Sequence, residues 1–450
     1  MFASEIAMDS SASVSSASLY GQNGGHGGII QIFGEYLKLE NHAGITTSSS
    51  GQGNAGAIFL LASQVDMDSG ASVSSLSKSE TDGGDGGGIF IMKNRMMDDS
   101  GSTLTFQASD RIRLQNHASV STSSSGQGDA GNILLATSEL DMDNSASISS
   151  GSLSEGNGGD GGAIGIGKEI VMKNTDTDDE RFSVTQPADT IRLRNHANIN
   201  TSGKGYGNAG EIGLGVSDLE LDSNAFISSI GKNGQGGMII IAGTIDEPEN
   251  EKFTTPGFAD HIRLHGNSAI TTSSEGVGDA GDIRLKARRF EMHDASVSSD
   301  ADFSGGGRIT VSAENTVWLT DSRITTNVYR GIGNGGDIGI RNPEFVILNH
   351  SEIQANAQDG DGGAVFIITD NFLKSFSSII EATSARGNEG TVRIEAPDFD
   401  ISGELTVMPG TFFDAEKWVY DSCESRSGKE RGRFTIRRYV VPPDPSGEQP

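Results

Sequence analysis

The densest chemistry in this chain is a short acidic stretch. Asn174-Thr175-Asp176 and Asp178-Asp179 bring three carboxylates close together in sequence. Paired carboxylates are what glycosidic-bond hydrolysis needs, one as acid and the other as base or nucleophile. His265-Gly266 adds an imidazole further on. Both acidic pairs fall in one irregular segment, so they would project from a loop, whereas a catalytic constellation needs rigid elements beneath it. No catalytic residue is assigned, and the chain is not expected to be an enzyme.

The other reactive types fare no better. Asn-His recurs at 41–42, 116–117, 195–196 and 349–350. In the repeat derived below the first three lie two coils apart, about 10 Å, too far to share a metal held at about 2 Å per bond. A turn-packing role is expected for these histidines. Gly/Asp turns raise calcium, but a calcium-binding roll needs tandem nine-residue units, and here the phrase returns far less often. Serine and threonine runs have no His/Asp partner that would make a nucleophile. No metal and no cofactor are expected.

What could position any of these groups is a repeated glycine turn. GQGNAG at 51–56 returns as GQGDAG at 126–131, GYGNAG at 205–210, GVGDAG at 276–281 and GIGNGG at 331–336, with shorter GHGG, GDGG, GQGG and SGGG variants between. The closing glycines stand at 28, 56, 87, 131, 162, 210, 237, 281, 307, 336, 363 and 390, giving gaps of 26–31 residues and three of 44, 48 and 44. Repetition on this scale signals stacked units, none able to bury its apolar face alone.

Each unit reads alike. An alternating strand follows the turn (Ile133-Leu134-Leu135), then a second (Leu140-Asp141-Met142), an Asn-containing turn, and a third (Val120-Ser121-Thr122 in the preceding unit). Period-2 alternation with β-branched residues is strand chemistry. Three short strands per ~27 residues predict an all-β fold, a right-handed parallel β-helix of about 12 coils. Inward positions should be Ile, Leu, Val, Met and Ala, outward ones polar. A β-propeller needs ~40–50 residues per blade and is not supported.

The three long gaps hold excursions at 92–110, 172–190 and 244–261, each leaving after a first strand and returning into Ile-Arg-Leu at 112–114, 191–193 or 262–264. They interrupt every second coil, so they should emerge one above another on one side. They gather acids, phenylalanines (Phe106, Phe182, Phe253, Phe258) and prolines (Pro187, Pro248, Pro256), and proline is excluded from central strands. Excising them is expected to leave a regular helix. The outward residue of the second strand reads Lys38, Asp66, Arg113, Asp141, Arg192, Glu220, Arg263, Glu291, a sign alternation predicting a ladder of opposite charges. Repeats are expected over 1–406. Residues 407–450, with Phe412, Phe413, Trp418, Tyr420, Cys423 and VVPPDPSGEQP, read as a cap and a disordered proline-rich tail.

Composition narrows the partners. Lys and Arg total 33 against 61 Asp and Glu, a net charge of −28, the opposite of what nucleic acid or an anionic membrane surface recruits. A single cysteine permits no internal disulfide, and no apolar run reaches the ~18 residues of a transmembrane helix. Ile6-Ala7-Met8 and Ala12-Ser13-Val14 already match second and third strands. The chain is therefore expected to be the C-terminal part of a longer protein.

The phrase G-x-G-[ND]-[AG]-G-x-I-x-L, followed by L-x-[LM]-x-x-x-A-x-[IV]-[ST]-[ST], resembles the filamentous-haemagglutinin-like exoproteins of two-partner secretion, above all large forms of cyanobacteria and some proteobacteria. The likeness covers roughly residues 5–400. The tail (Phe412-Phe413-Asp414-Ala415, Phe434-Thr435-Ile436-Arg437, Pro442-Pro443-Asp444-Pro445) is similar to their closing segment, with Arg437-Arg438-Tyr439-Val440 where that segment has Gly-Arg-Gly-Gly. The resemblance implies a non-enzymatic, adhesin-like rod, secreted or displayed on a bacterial cell surface. It implies export through an outer-membrane β-barrel partner that reads an N-terminal domain absent from this sequence. It further implies contact with glycans or proteins of host or neighbouring cells. The alternative is a polysaccharide-binding or polysaccharide-degrading β-helix.

Overall fold

Parallel pairing repeats along the chain at an offset of one coil, because each coil alone leaves an apolar edge that only its neighbour can cover. A computed structural model describes residues 3–19, 25–79, 83–99, 101–173, 182–245 and 257–397. Contacts divide the chain into a unit at Met1–Pro397 and a second at Asp398–Pro450. The expected cap, tail and Cys423 lie outside the described residues, as do Asn174–Asp179 and Phe253.

The first unit is a β-solenoid of about 13 turns, one more than the twelve glycine turns count, because Ala3–Met8 and Ser13–Ser18 form a partial coil ahead of Gly28 and stack on Ile30–Leu39 and Gly44–Ser49. First, second and third strands each stack on their own kind. For example, Ile133 pairs with Ile89 and Ile164, Leu140 with Ile112 and Ile191, and Val120 with Val73 and Ile148. The core is one continuous column of Ile, Leu, Val, Met and Ala, with Phe290 the largest side chain in it.

Two corners hold the coil closed. At the glycine corner each closing glycine stacks on the one before, from Gly28 to Gly390, and a Cβ on any of Gly56, Gly131 or Gly210 would overlap the previous coil's glycine carbonyl. Between second and third strands, Asn41-His42, Asn116-His117 and Asn195-His196 all adopt left-handed φ of 49–65°, which asparagine tolerates better than most residues. Their amides reach carboxylates one coil earlier, Asn41 to Asp9, Asn116 to Asp68 and Asn195 to Asp143, each at 2.7 Å. The histidine N–H groups donate onward to Ser69, Asn144 and Ser223 carbonyls at 2.9–3.0 Å. These are turn residues, and among the described residues no group of three or more His, Cys, Asp or Glu is placed to hold a metal ion.

One inward row departs from the expectation of an all-apolar interior. Thr47, Ser75, Thr122, Ser150, Thr201, Ser229, Thr272 and Ser299 all turn inward and are buried. They work in pairs on the glycine corner. Thr122 and Ser150 both donate to the Gly131 carbonyl, at 2.5 and 2.9 Å, and Ser150 accepts the Gly162 N–H at 3.0 Å. Thr201, Ser229, Gly210 and Gly237 repeat the motif. The corner backbone is curved too tightly to satisfy all its polar groups by stacking, and buried backbone groups must find partners; small hydroxyls supply them. The row alternates Thr and Ser, so the true repeat is two coils, with its carbonyl glycines at 56, 131, 210 and 281.

Candidate functional site

The outward positions of the first strand decide where the rod stops being uniform. In the coils up to residue 242 they read Gln31 and Phe33, then, apolar or glycine throughout, Phe59 and Leu61, Phe90 and Met92, Leu134 and Ala136, Gly165 and Gly167, Gly213 and Gly215, Ile240 and Ala242. An apolar or glycine column facing outward contradicts the expectation of polar outer faces. Its physical reason is that this side is not surface: the excursions cover it.

Those excursions are not separate loops. Asn94–Met97 and Thr103–Gln107 come from the first, Glu169–Lys173 and Phe182–Gln186 from around the second, and they join as one antiparallel sheet of four strands. Ile245 of the third closes on Val184 through an antiparallel bridge. Each hairpin adds two strands at ~4.8 Å while the solenoid rises two coils at the same spacing, so the outer sheet keeps in step with the inner one. This is why the detours fall at every second coil.

Between the two sheets lies a second core of Leu61, Phe90, Met92, Phe106, Leu134, Ala136, Ile170, Val184 and Ile245. Phe106 is fully buried and its ring lies 5.7 Å from that of Phe90, which stacks on Phe59 at 4.8 Å. The Arg95 guanidinium closes this aromatic row over Phe59 at 4.8 Å, a cation–π contact. Further along, the fit inverts: Phe182 lies over Gly165 and Gly213, and Val184 over Gly167 and Gly215. A Cβ at Gly165 would stand 2.5 Å from the Phe182 ring, so here glycine makes sockets. Phe258 of the third excursion lies instead under the Lys286 ammonium at 4.3 Å.

The charge ladder is found in the register expected. Lys38 pairs with Asp66, Asp66 with Arg113, Arg113 with Asp141, Asp141 with Arg192, Arg192 with Glu220, Glu220 with Arg263 and Arg263 with Glu291. Ion pairs close both straight across and diagonally. Arg192 meets Glu220 at 3.6 Å, while Arg194 takes Asp141 at 2.9 Å and Arg263 reaches Asp218 at 3.7 Å. Asp66 also accepts the Tyr36 hydroxyl at 2.8 Å, and burial together with that bond pushes the Tyr36 phenol up to about 12. The ladder is half exposed and fixes register rather than forming a pocket.

A second ladder runs along the glycine corner. Asn54 accepts the Asp85 N–H, Asp85 that of Asp129, Asp129 that of Asp160, and Asp160 that of Asn208, at 2.7–3.0 Å. Desolvation holds the Asp129 carboxyl above the usual carboxylate range, with the Asp160 and Asp85 charges adding to it. Beyond residue 299 a half-buried Asp300 begins a similar column, accepting the Asn327 N–H at 2.6 Å and the Thr325 and Tyr329 hydroxyls; desolvation raises its pKa. His265-Gly266 sits in a second-to-third-strand turn, Gly266 at φ 58°.

Asn94–Met97 and Thr103–Gln107 fall inside the excursion expected at 92–110, whereas Glu169–Lys173 begins ahead of the expected 172 and the solenoid strand Ala188–Leu193 resumes ahead of 190; the sheet these strands form was not expected from the sequence. The signal was present in alternation within the detours, Thr103-Leu104-Thr105-Phe106-Gln107 and Phe182-Ser183-Val184-Thr185-Gln186, and in apolar residues at both phases of the first strands beneath.

The described residues form a parallel β-solenoid carrying a lateral antiparallel sheet of four strands. No family model matches this sequence, and no curated protein matches it. Among solved structures it is similar to the HMW1 secretion domain from Haemophilus influenzae, at 12% identity over 82% of this chain and 94% of that one, with a TM-score of 0.45.

Proposed function

We propose that this chain is a non-enzymatic structural rod of a secreted or surface-displayed bacterial exoprotein. In this reading it is exported through an outer-membrane barrel partner and adheres to glycans or proteins of host or neighbouring cells by its lateral sheet. The observation that carries the reading is the repeated two-coil unit with a hairpin welded to one side. Regular rungs alone offer flat polar faces, while the lateral sheet concentrates side-chain variety on a rigid base, and function collects at such departures from a scaffold. The resemblance of the glycine-turn repeats to two-partner-secretion exoproteins supports the export route.

The deletion test needs a change from what the sequence suggests. Removing the excursions alone would bare Phe59, Leu61, Phe90 and Leu134, an apolar stripe inviting aggregation. The trimmed rod should therefore also carry polar residues at those positions, like the Thr310 and Ser312 of the later coils. Parent and trimmed rods are then compared for attachment to cells. Equal attachment would place adhesion on the bare faces, and attachment by neither would remove the adhesive reading. Release of reducing ends from any polysaccharide by the parent would favour the degrading alternative.

A further inference from the structure

The outer face of the second strands carries a fault in its charge pattern. Up to residue 265 whole rungs alternate in sign there, not the central column alone. The acidic rungs Glu139, Asp141, Asp143 and Asp218, Glu220, Asp222 stand among basic ones. Arg111 and Arg113 precede the first, Arg192 and Arg194 lie between, and His261, Arg263 and His265 follow the second.

The next rung should be acidic and is not. Arg289 stands in register with His261 and His293 with His265, leaving Glu291 alone to continue the ladder. Basic side chains thus face one another where every earlier basic rung faces carboxylates. Arg289 and His293 are exposed, and among the described residues neither makes a side-chain hydrogen bond or ion pair. The acids nearby are placed elsewhere. Asp260 and Glu314 are held by Arg288 at 2.5 and 3.2 Å, while Asp294 and Asp321 lie in the turns that follow, at left-handed φ of 50° and 49°.

The rung above is aromatic. Thr316, Trp318 and Thr320 stack on Arg289, Glu291 and His293, and Ile347 and Leu373 continue the Trp318 column. Trp318 is 48% and Leu373 55% exposed. Arg289 and His293 are diagonal neighbours of Trp318, a separation that long and aromatic side chains span. On a chain of net charge −28, this is a basic patch beside an open aromatic platform.

We propose that Arg289, His293 and Trp318 form a binding site for a carboxylate-bearing polysaccharide, one built of uronic acid residues. The guanidinium offers a planar fork that matches a sugar carboxylate. The indole takes the apolar C–H face of a pyranose ring, and Ile347 and Leu373 extend that floor along the rod. His293, Thr316 and Thr320 offer hydrogen bonds to ring hydroxyls. Glu291, half-buried between Arg263 and Trp318, accepts from a hydroxyl and sets the sugar carboxylate to the Arg289 side.

An acidic polypeptide suits these groups less well. Strand addition needs a free sheet edge, and here each rung is already paired with the coil on either side. Only side chains are on offer, and a polysaccharide needs nothing else. The site lies on a different face from the lateral sheet and stands whether or not that sheet is adhesive.

The test uses the full chain and a fluorescent oligogalacturonate, read by anisotropy at low salt. Saturable binding is expected, with a neutral galactan oligomer bound about tenfold more weakly or worse. Arg289→Glu combined with His293→Asp restores the acidic rung of the two-coil pattern. That variant should melt no earlier than the parent while binding falls by about tenfold or more. Trp318→Thr matches the threonines beside it, removes the platform without changing charge, and should also weaken binding by about tenfold. Should either variant lose its cooperative melting curve, the other gives the deciding measurement. Absence of saturable binding, or undiminished binding by a folded variant, overturns the site. So does polyglutamate bound as tightly as the oligogalacturonate, which would assign the face to an acidic polypeptide. Dextran sulfate bound more tightly, and equally by Trp318→Thr, overturns it too, as unspecific attraction of anions.

Discussion

The coils before and after residue 245 share one backbone and differ most in the outward column of the first strand. In the earlier coils the outward first-strand positions are Phe59, Phe90, Leu134, Gly165, Gly213 and Ile240; in the later ones they are Arg284, Thr310, Gly339, Phe366 and Arg393. The inward column is the same apolar stack throughout. The solenoid is thus indifferent to what its flank carries, and the flank alone decides whether a second sheet is laid on it. Glycine shows this most clearly. Gly165 and Gly339 occupy the same place in their coils, yet the first is a socket for Phe182 and the second faces open space apart from Arg341.

The largest expected effect falls on the covered flank. Phe106→Ala empties the centre of the inter-sheet core and should cost about 3–5 kcal/mol, read as a lowered denaturant midpoint with early loss of hydrogen-exchange protection over 94–107. If protection there is lost no sooner than in the bare coils, the lateral sheet is not held by this core. Next comes the glycine pair. Gly165→Val should cost about 1–3 kcal/mol by overpacking against Phe182, whereas Gly339→Val should stay within about 0.5 kcal/mol. Equal costs at the two sites would erase the distinction between socket and open flank.

Smaller effects probe what both halves share. Arg192→Glu sets a carboxylate between Asp141 and Glu220 and should cost about 1 kcal/mol through like-charge cross-strand repulsion, partly regained at high salt. A salt-independent loss would assign the effect to packing.

The smallest concerns Asp300 in the bare half. Its folded pKa lies above the unfolded value because burial disfavours the charged form, so the carboxylate weakens the fold at neutral pH and this relaxes as pH falls. Asp300→Asn keeps an acceptor for Asn327, as Asn327 and Asn356 do one and two coils on. The variant should be the more stable near neutrality, with the difference shrinking towards pH ~4. A gap that widens on acidification would refute the sign.

What the sequence determined by itself is the coil, its apolar face and its register. Glycine spacing set the coil, because only glycine lets successive turns stack carbonyl against Cα. Alternation set which side chains enter the core, and the sign pattern from Lys38 to Glu291 set the register, since a slip by one residue would turn every side chain to the other face. Even the two-coil rhythm is legible in the spacing of the detours.

Tertiary structure decided what depends on partners distant along the chain. The Thr47–Ser75 row reads as surface until the glycine corner is folded beside it and its carbonyls need donors. Leu104, Phe106, Phe182 and Val184 read as loop residues because the solenoid face they are buried against lies in other coils, and Leu104 has a second strand partner, Met172, more than 60 residues on. A local pattern can specify a face, but not the remote surface that face is buried against. That pairing exists only once the solenoid has brought coils distant in sequence side by side at a common rise of ~4.8 Å.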